Sequence, residues 1–131
     1  MYKRQHLHGA YLIRNSDLAG FTRQEQDFLA TILRCHRRKP DQEALTALPE
    51  RLRRTAARVT ALLRVAVLLH RARSAERLPA LTVRADDRGL ELKLGRDWLA
   101  QHPLTVADLD QEREHLKDLG VKLQLRAAEK V

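Results

Sequence analysis

With 131 residues and a formal net charge of +8, the chain has room for one compact core or a pair of small subdomains, burying about two thirds of its unfolded surface. Its most apolar stretch, Val59 to Leu69, is broken by Arg64 and falls short of the ~20 residues a membrane-spanning helix needs; Met1 is followed by Tyr-Lys-Arg-Gln-His rather than the apolar core of a secretory signal. A sole cysteine, Cys35, excludes an intramolecular disulfide, so the expectation is a soluble cytoplasmic protein without a membrane partner.

The chain opens with a predicted helix over residues 2–14, ending at Asn15-Ser16-Asp17, whose short polar side chains compete for backbone hydrogen bonds. After a loop containing Gly20, Thr22 and Glu25 stand at capping-box spacing and start a second helix, with Phe28, Leu29, Ile32 and Leu33 on its apolar face. His36 falls on that same face, toward the core or a cleft. Pro40 stops this helix, and residues 41–49 form a short helix or turn.

A third long helix is predicted from Glu50 to Arg73, presenting Leu52, Ala56, Val59, Leu62, Leu63, Ala66 and Val67 to one side. Arg53, Arg64 and Arg71 project within about 20° of one another on it, while Arg51, Arg54 and Arg58 form a second stripe. Arg64 lies inside the apolar run. An unpaired charge buried there would cost several kcal/mol by order of magnitude, so Arg64 needs an acidic partner, a carbonyl or a bound anion.

Beyond Pro79 the hydrophobic period changes to two. Leu81, Val83 and Ala85, then Leu90, Leu92 and Leu94 across Asp86-Asp87-Arg88-Gly89, predict a hairpin with one buried face. Trp98 and Leu99 belong to a short helical turn before Pro103. Thr105 and Asp108 repeat the capping-box spacing before a helix from about Val106 to Leu119, which Gly120 ends, and Val121, Leu123 and Leu125 mark a third strand. The expected class is α+β: a helical subdomain over residues 1–78, then a β-β-α-β subdomain over 79–131 whose small three-stranded, mainly antiparallel sheet is covered by one helix.

Charge is divided along the same line. Residues 1–78 hold 16 Lys/Arg against 7 Asp/Glu, and residues 79–131 hold 9 against 10, so the first part is +9 and the second −1. Such a field draws polyanions without choosing among them. Two Phe, two Tyr and one Trp offer few platforms for stacked bases, which disfavours single-stranded nucleic acid.

The run His8-Gly9-Ala10-Tyr11-Leu12-Ile13-Arg14-Asn15-Ser16-Asp17-Leu18-Ala19-Gly20-Phe21, then Arg34-Cys35-His36-Arg37-Arg38 and Leu62-Leu63-Arg64-Val65-Ala66-Val67-Leu68-Leu69, resembles the C-terminal region of the exopolyphosphatase / guanosine pentaphosphate phosphatase (Ppx/GppA) family, with the same segment order from about His8 to Leu125. The resemblance implies an N-terminal, two-lobed, actin-like catalytic domain with a phosphate-binding loop, acidic residues and magnesium. No such glycine-rich, acid-bearing segment occurs in this chain.

By resemblance, then, the chain is the accessory part of a hydrolase, inactive alone and holding no cofactor itself, with magnesium belonging to the full-length enzyme. Its helical subdomain is HD-like and N-terminally truncated, since the family's region starts upstream. The implied partners are inorganic polyphosphate or guanosine pentaphosphate, its own N-terminal catalytic domain, and a second copy in a homodimer. The candidate substrate contacts are Arg64, which matches a family position, with Arg71, Arg53, Arg37, Arg38, His36 and His8.

Two other readings stand beside this one. An HD-like metal-dependent phosphohydrolase would need a His-Asp pair, and no His-Asp or His-Glu dipeptide occurs; His6, His8, His36 and Asp17 remain as ligand types suited to zinc or manganese. Ser16 lacks a nucleophile elbow, and Cys35 and His36 point about 100° apart on a helix. The third reading is a helical scaffold for self-association.

Overall fold

A computed structural model describes residues 5–72 and 80–129, with side chains for 6–71 and 80–129. The chain divides into two compact units, residues 1–63 and 64–131. Pro79 and the 78/79 boundary expected from the sequence lie outside the described residues.

The first unit is helical: α1 (Gln5–Asn15), α2 (Arg23–Cys35), α3 (Gln42–Ala47) and the first part of α4 (Glu50–Ala72). Helix α1 packs along α2. The last carbonyls of a helix lack intrahelical donors, and here α2 supplies them: Gln26 Nε2 donates to Ile13 O (3.2 Å) and Ser16 O (2.5 Å), and Arg23 Nη1 to Arg14 O (2.5 Å). Gly20 takes φ +85° in the connecting turn, a conformation glycine adopts without steric cost. The capping box forms as predicted, Glu25 N donating to Thr22 Oγ1 (3.1 Å) and Thr22 N to Glu25 Oε1 (2.8 Å). The stripe α2 buries runs through Gln26, Ala30, Thr31, Ile32 and Cys35, whereas Phe28, Leu29 and Leu33 are only half-buried.

Asp41 starts α3. Its Oδ1 accepts from Ala44 N (3.1 Å) while Arg34 Nη2 and Nε reach Oδ2, each at 3.0 Å. Burial pushes the Asp41 carboxyl up, but the Ala44 amide and the Arg34 guanidinium outweigh it and hold the group below its ordinary value. The fold therefore favours the carboxylate. That stabilisation is fully present above the unfolded-state value of about 3.9 and is lost as pH falls through the lower folded value. Asp41→Ala is expected to cost about 1–2 kcal/mol near neutrality, and urea melts at descending pH should show the variant and the parent converging only in acid.

Helix α4 buries a different face from the one its hydropathy marks. Ala56, Ala57, Thr60 and Ala61 are buried in the first unit, and Arg64, Val65, Leu68 and Leu69 in the second. Val59 and Leu62, expected inside, are 39% and 48% exposed. The buried stripe steps by four through Ala56, Thr60, Arg64 and Leu68. Hydropathy discounts Thr and Arg, so the pattern pulls the expected face toward Val59 and Leu62.

The second unit is α+β, a three-stranded mixed sheet with helices. Strand β1 (Leu81–Ala85) pairs antiparallel with β2 (Gly89–Gly95), Leu81 opposite Leu94 and Ala85 opposite Leu90. The turn is held by Asp86 Oδ1, which accepts from Arg88 N (2.7 Å) and Gly89 N (3.0 Å). Helices α5 (Arg96–Gln101) and α6 (Pro103–Asp118) then carry the chain back, and β3 (Lys122–Ala128) pairs parallel with β2, Gly89 opposite Lys122 and Gly95 opposite Ala128. This corrects the mainly antiparallel expectation. A hairpin turn returns the chain antiparallel, but a helical crossover of this length delivers it parallel. It also replaces one covering helix by two, because the helical segment before Pro103 is a helix in its own right.

Helix α6 begins earlier than the Thr105–Asp108 spacing suggests. Pro103 takes the first helical position, where its missing N–H costs nothing, and Thr105 is buried inside the first turn. The C-terminus is a Schellman motif: Gly120 at φ +75° follows Leu119, Gly120 N donates to Lys117 O (2.9 Å) and Val121 N to Leu116 O (2.9 Å). Leu90, Leu92 and Leu94 of β2 are buried with Leu109, Leu116, Leu119, Val121 and Leu123. Edge strand β1 is covered less: Leu81 is half-buried and Val83 is 46% exposed. The single buried face expected of the hairpin is thus confined to β2, with α6 packed over β3.

Candidate anion site

In the first unit, α2 ends at Cys35 and His36 forms its C-cap at φ −80°, ψ −8°. His36 Nδ1 lies 2.6 Å from Leu33 O. A carbonyl only accepts, so Nδ1 carries the proton of that bond and Nε2 is the ring atom left for other partners. Arg37, half-buried, and Arg38, exposed, follow directly, and Arg38 holds φ 58°, an uncommon conformation for a residue with a side chain. Among the described residues neither guanidinium has an acidic partner. Cations here also sit at the negative end of the α2 dipole.

His6 of α1 completes this corner. Its ring meets that of His36 edge-on, at 6.0 Å between centroids and 80° between planes. His6 is 9% exposed, and its buried Nδ1 has no hydrogen-bond partner among the described residues. Burial, then His36, Arg37, Arg38 and Arg34, push its imidazole below the ordinary value. Every charge acting on it is positive. Sequence reasoning held His6 only as a metal-ligand type; the antiparallel run of α1 and α2 is what brings position 6 beside position 36.

The other sequence-predicted contacts are dispersed. His8 is exposed on α1. Arg53 donates from Nε to Leu48 O (2.9 Å) and from Nη2 to Thr46 O (2.8 Å), satisfying carbonyls at the end of α3. Arg71 is exposed near the end of α4, in the second unit. Arg64, also in the second unit, is 4% exposed, and its Nε donates to Glu112 Oε1 at 2.5 Å and its Nη2 to Glu112 Oε2 at 3.5 Å. The acidic partner that its apolar surroundings require is therefore Glu112 of α6.

A larger cleft of about 580 Å³ opens elsewhere in the first unit, lined in part by Tyr11, Arg14, Arg23, Asp27, Arg34 and Asp41. Its guanidiniums are matched. Arg14 and Arg23 lie 3.5 and 3.7 Å from Asp27, and Arg34 lies 3.0 Å from Asp41. Volume favours the cleft, but uncompensated charge favours the His36–Arg38 turn. Among the described residues no three His, Cys, Asp or Glu side chains gather as a metal site, and His6, His8, His36 and Asp17 are not drawn into one ligand set. No helix among them is long and apolar enough to cross a membrane.

The class these features define is a two-part α+β module with a cationic turn in its helical half. The chain belongs to the Ppx/GppA phosphatase family: residues 1–113 match its domain III, described as "Ppx/GppA phosphatase, domain III". Similar proteins include the guanosine-5'-triphosphate,3'-diphosphate pyrophosphatases of Vibrio atlanticus, 36% identical over 95% of this chain and 24% of the relative, and of Vibrio campbellii, 38% identical over the same shares. That of Photobacterium profundum is 37% identical over 98% of this chain and 25% of its own length. The chain thus spans about a quarter of the length of these relatives.

Proposed function

We propose that this domain III is a polyanion-binding accessory domain of a phosphoanhydride hydrolase, holding the phosphate chain of guanosine pentaphosphate or inorganic polyphosphate for an N-terminal catalytic domain. The observation that carries this reading is the turn His36-Arg37-Arg38, where two guanidiniums have no acidic partner among the described residues. The names of the relatives put guanosine pentaphosphate first. Magnesium in the catalytic domain, a homodimer of the full-length protein and a cytoplasmic setting belong to the same proposal.

Displaced counterions make nucleic-acid binding weaken steeply with salt, and a polyphosphate chain, itself densely charged, should behave alike. Arg37→Ala and Arg38→Ala should each weaken tripolyphosphate binding and flatten its salt dependence between 50 and 200 mM salt, whereas Lys122→Ala on the sheet should change little. Equal losses at all three positions would mean diffuse attraction without a site.

The purified chain is also expected to release no phosphate from polyphosphate or guanosine pentaphosphate. Metal-dependent release, abolished in His36→Ala, would replace this proposal by the HD-like phosphohydrolase reading.

A further inference from the structure

We propose that the cleft lined by α1, α2 and α3 in the first unit is a seat for a neutral purine base, guanine above all, with Tyr11 as its stacking face and Glu43 as the acid that reads its N–H edge. This rests on the polyanion reading above and adds to it a place for the nucleoside half of guanosine pentaphosphate. The cleft is separate from the His36–Arg38 turn, none of whose residues lines it.

Charge decides what the cleft does not take. Arg14, Arg23 and Arg34 line it together with Asp27, Asp41 and Glu43, so its formal charge is zero and nothing in that balance draws a phosphate chain. Asp41 is fully engaged, Oδ1 accepting from Ala44 N and Oδ2 from Arg34 Nε. Asp27 Oδ1 lies 3.5 and 3.7 Å from Arg14 and Arg23, yet it is buried and accepts no hydrogen bond among the described residues. Glu43, exposed in the first turn of α3, has no side-chain partner among them either. The cleft therefore holds acceptors that lack donors. What completes it is a ligand that brings N–H groups and no charge.

Shape and lining narrow the ligand further. The floor is apolar, with Ala10, Ala30 and Leu48 at 1, 4 and 3% exposure, and Ala44 and Ala47 leave the α3 wall without long side chains. The space, about 580 Å³, lies within the range of small-molecule sites. Tyr11, 63% exposed at its edge, keeps a ring face in water on which any base can stack. Selection then falls to the hydrogen-bonding edge. Guanine's N1–H and 2-amino group donate side by side and match the two oxygens of one carboxylate, whereas adenine sets one donor beside a ring nitrogen that a carboxylate repels. The Arg14 side chain, 61% exposed, supplies donors of the kind that suit O6.

Titration of the whole chain with guanosine, inosine and adenosine, followed by calorimetry and by the ring proton signals of Tyr11, tests this without any phosphate present. Guanosine should bind about tenfold more tightly than adenosine, with inosine, which lacks the 2-amino group, between them. Glu43→Gln should remove most of that preference while leaving adenosine affinity unchanged, a change in ratio that a merely structural role would not produce. Tyr11→Ala should weaken all three nucleosides about tenfold, the loss of one stacking face. Ala47→Leu brings a larger side chain into the cleft from an exposed position of α3; it should block all three nucleosides and leave tripolyphosphate binding intact.

Equal affinity for the three nucleosides, or an unchanged guanosine-to-adenosine ratio in Glu43→Gln, would overturn the inference. So would guanosine binding that survives both Tyr11→Ala and Ala47→Leu, since it would lie elsewhere. Tyr11 and Glu43 are exposed, so their variants decide the matter even if Ala47→Leu does not fold. Tripolyphosphate bound but no nucleoside bound would overturn the base seat and leave the polyanion reading standing. Guanosine bound with the expected selectivity, but no tripolyphosphate bound at any salt, would sink the polyanion reading and keep the seat.

Discussion

Glu112→Ala is expected to cost about 3–5 kcal/mol, because it leaves the Arg64 guanidinium charged, buried and without its carboxylate. At 4% exposure Arg64 has almost no access to water, and the partner side chain Glu112 is itself only 11% exposed. An exposed pair such as Arg96–Glu129, at 67% and 81% side-chain exposure, would give at most about 1 kcal/mol. Chemical denaturation of the two single variants and of Arg64→Met with Glu112→Leu separates the alternatives. The double variant should recover most of the loss, since two apolar side chains of similar volume remove both desolvation penalties together. Raising salt to 1 M should weaken the Arg96–Glu129 contribution far more than that of the buried pair. A loss below 1 kcal/mol in Glu112→Ala would show that water reaches Arg64 and that the pair is dispensable.

Gly89→Ala is the second large effect. Gly89 opens β2 directly opposite Lys122, where β3 begins, and an added Cβ would overlap the Lys122 backbone, its carbonyl oxygen first. Backbone cannot rotate away as a side chain can, so the strands must separate at this register. That would break the bond from Lys122 N to Arg88 O (3.0 Å) and disturb the Asp86 turn. The expected cost is about 3 kcal/mol, the upper part of the usual range for overpacking. Gly95→Ala, at the other end of β2 with open space around it, is the internal control and should shift the thermal midpoint little. Equal, small effects at both glycines would mean that β3 does not come close enough to Gly89 to require glycine there.

Local chemistry in the sequence located the elements well. The Thr22–Glu25 spacing marks the start of α2, Asp86 and Gly89 the turn, and Gly120 the end of α6, because each signal acts within a few residues. What could not be read locally was pairing. Nothing within β3 distinguishes a parallel from an antiparallel neighbour; only the path of α5 and α6 does. The buried face of α4 was hidden for a similar reason: Thr60 and Arg64 add no apolar signal to it, and the acid that Arg64 needs, Glu112, comes 48 positions later. At the candidate site, His36, Arg37 and Arg38 were named by family resemblance, as neighbours along the chain. The role of His6 was not, because it depends on two helices running past each other and on a nitrogen whose lack of a partner is a fact of packing.

The parallel ladder also orders events in time. Strand β2 lies between β1 and β3, so it acquires its first neighbour from a hairpin, which forms locally within microseconds, and its second only after α5, α6 and the Schellman turn have been synthesised and folded back. During translation the Leu90-Leu92-Leu94 edge is therefore open until residues 122–128 have left the ribosome, and a chain interrupted at Gly120 would keep it open permanently. An unpaired, leucine-rich strand edge is a template for other chains. The crossover that makes the sheet compact thus makes the last residues of β3 the guardians of solubility for a strand laid down some thirty residues earlier.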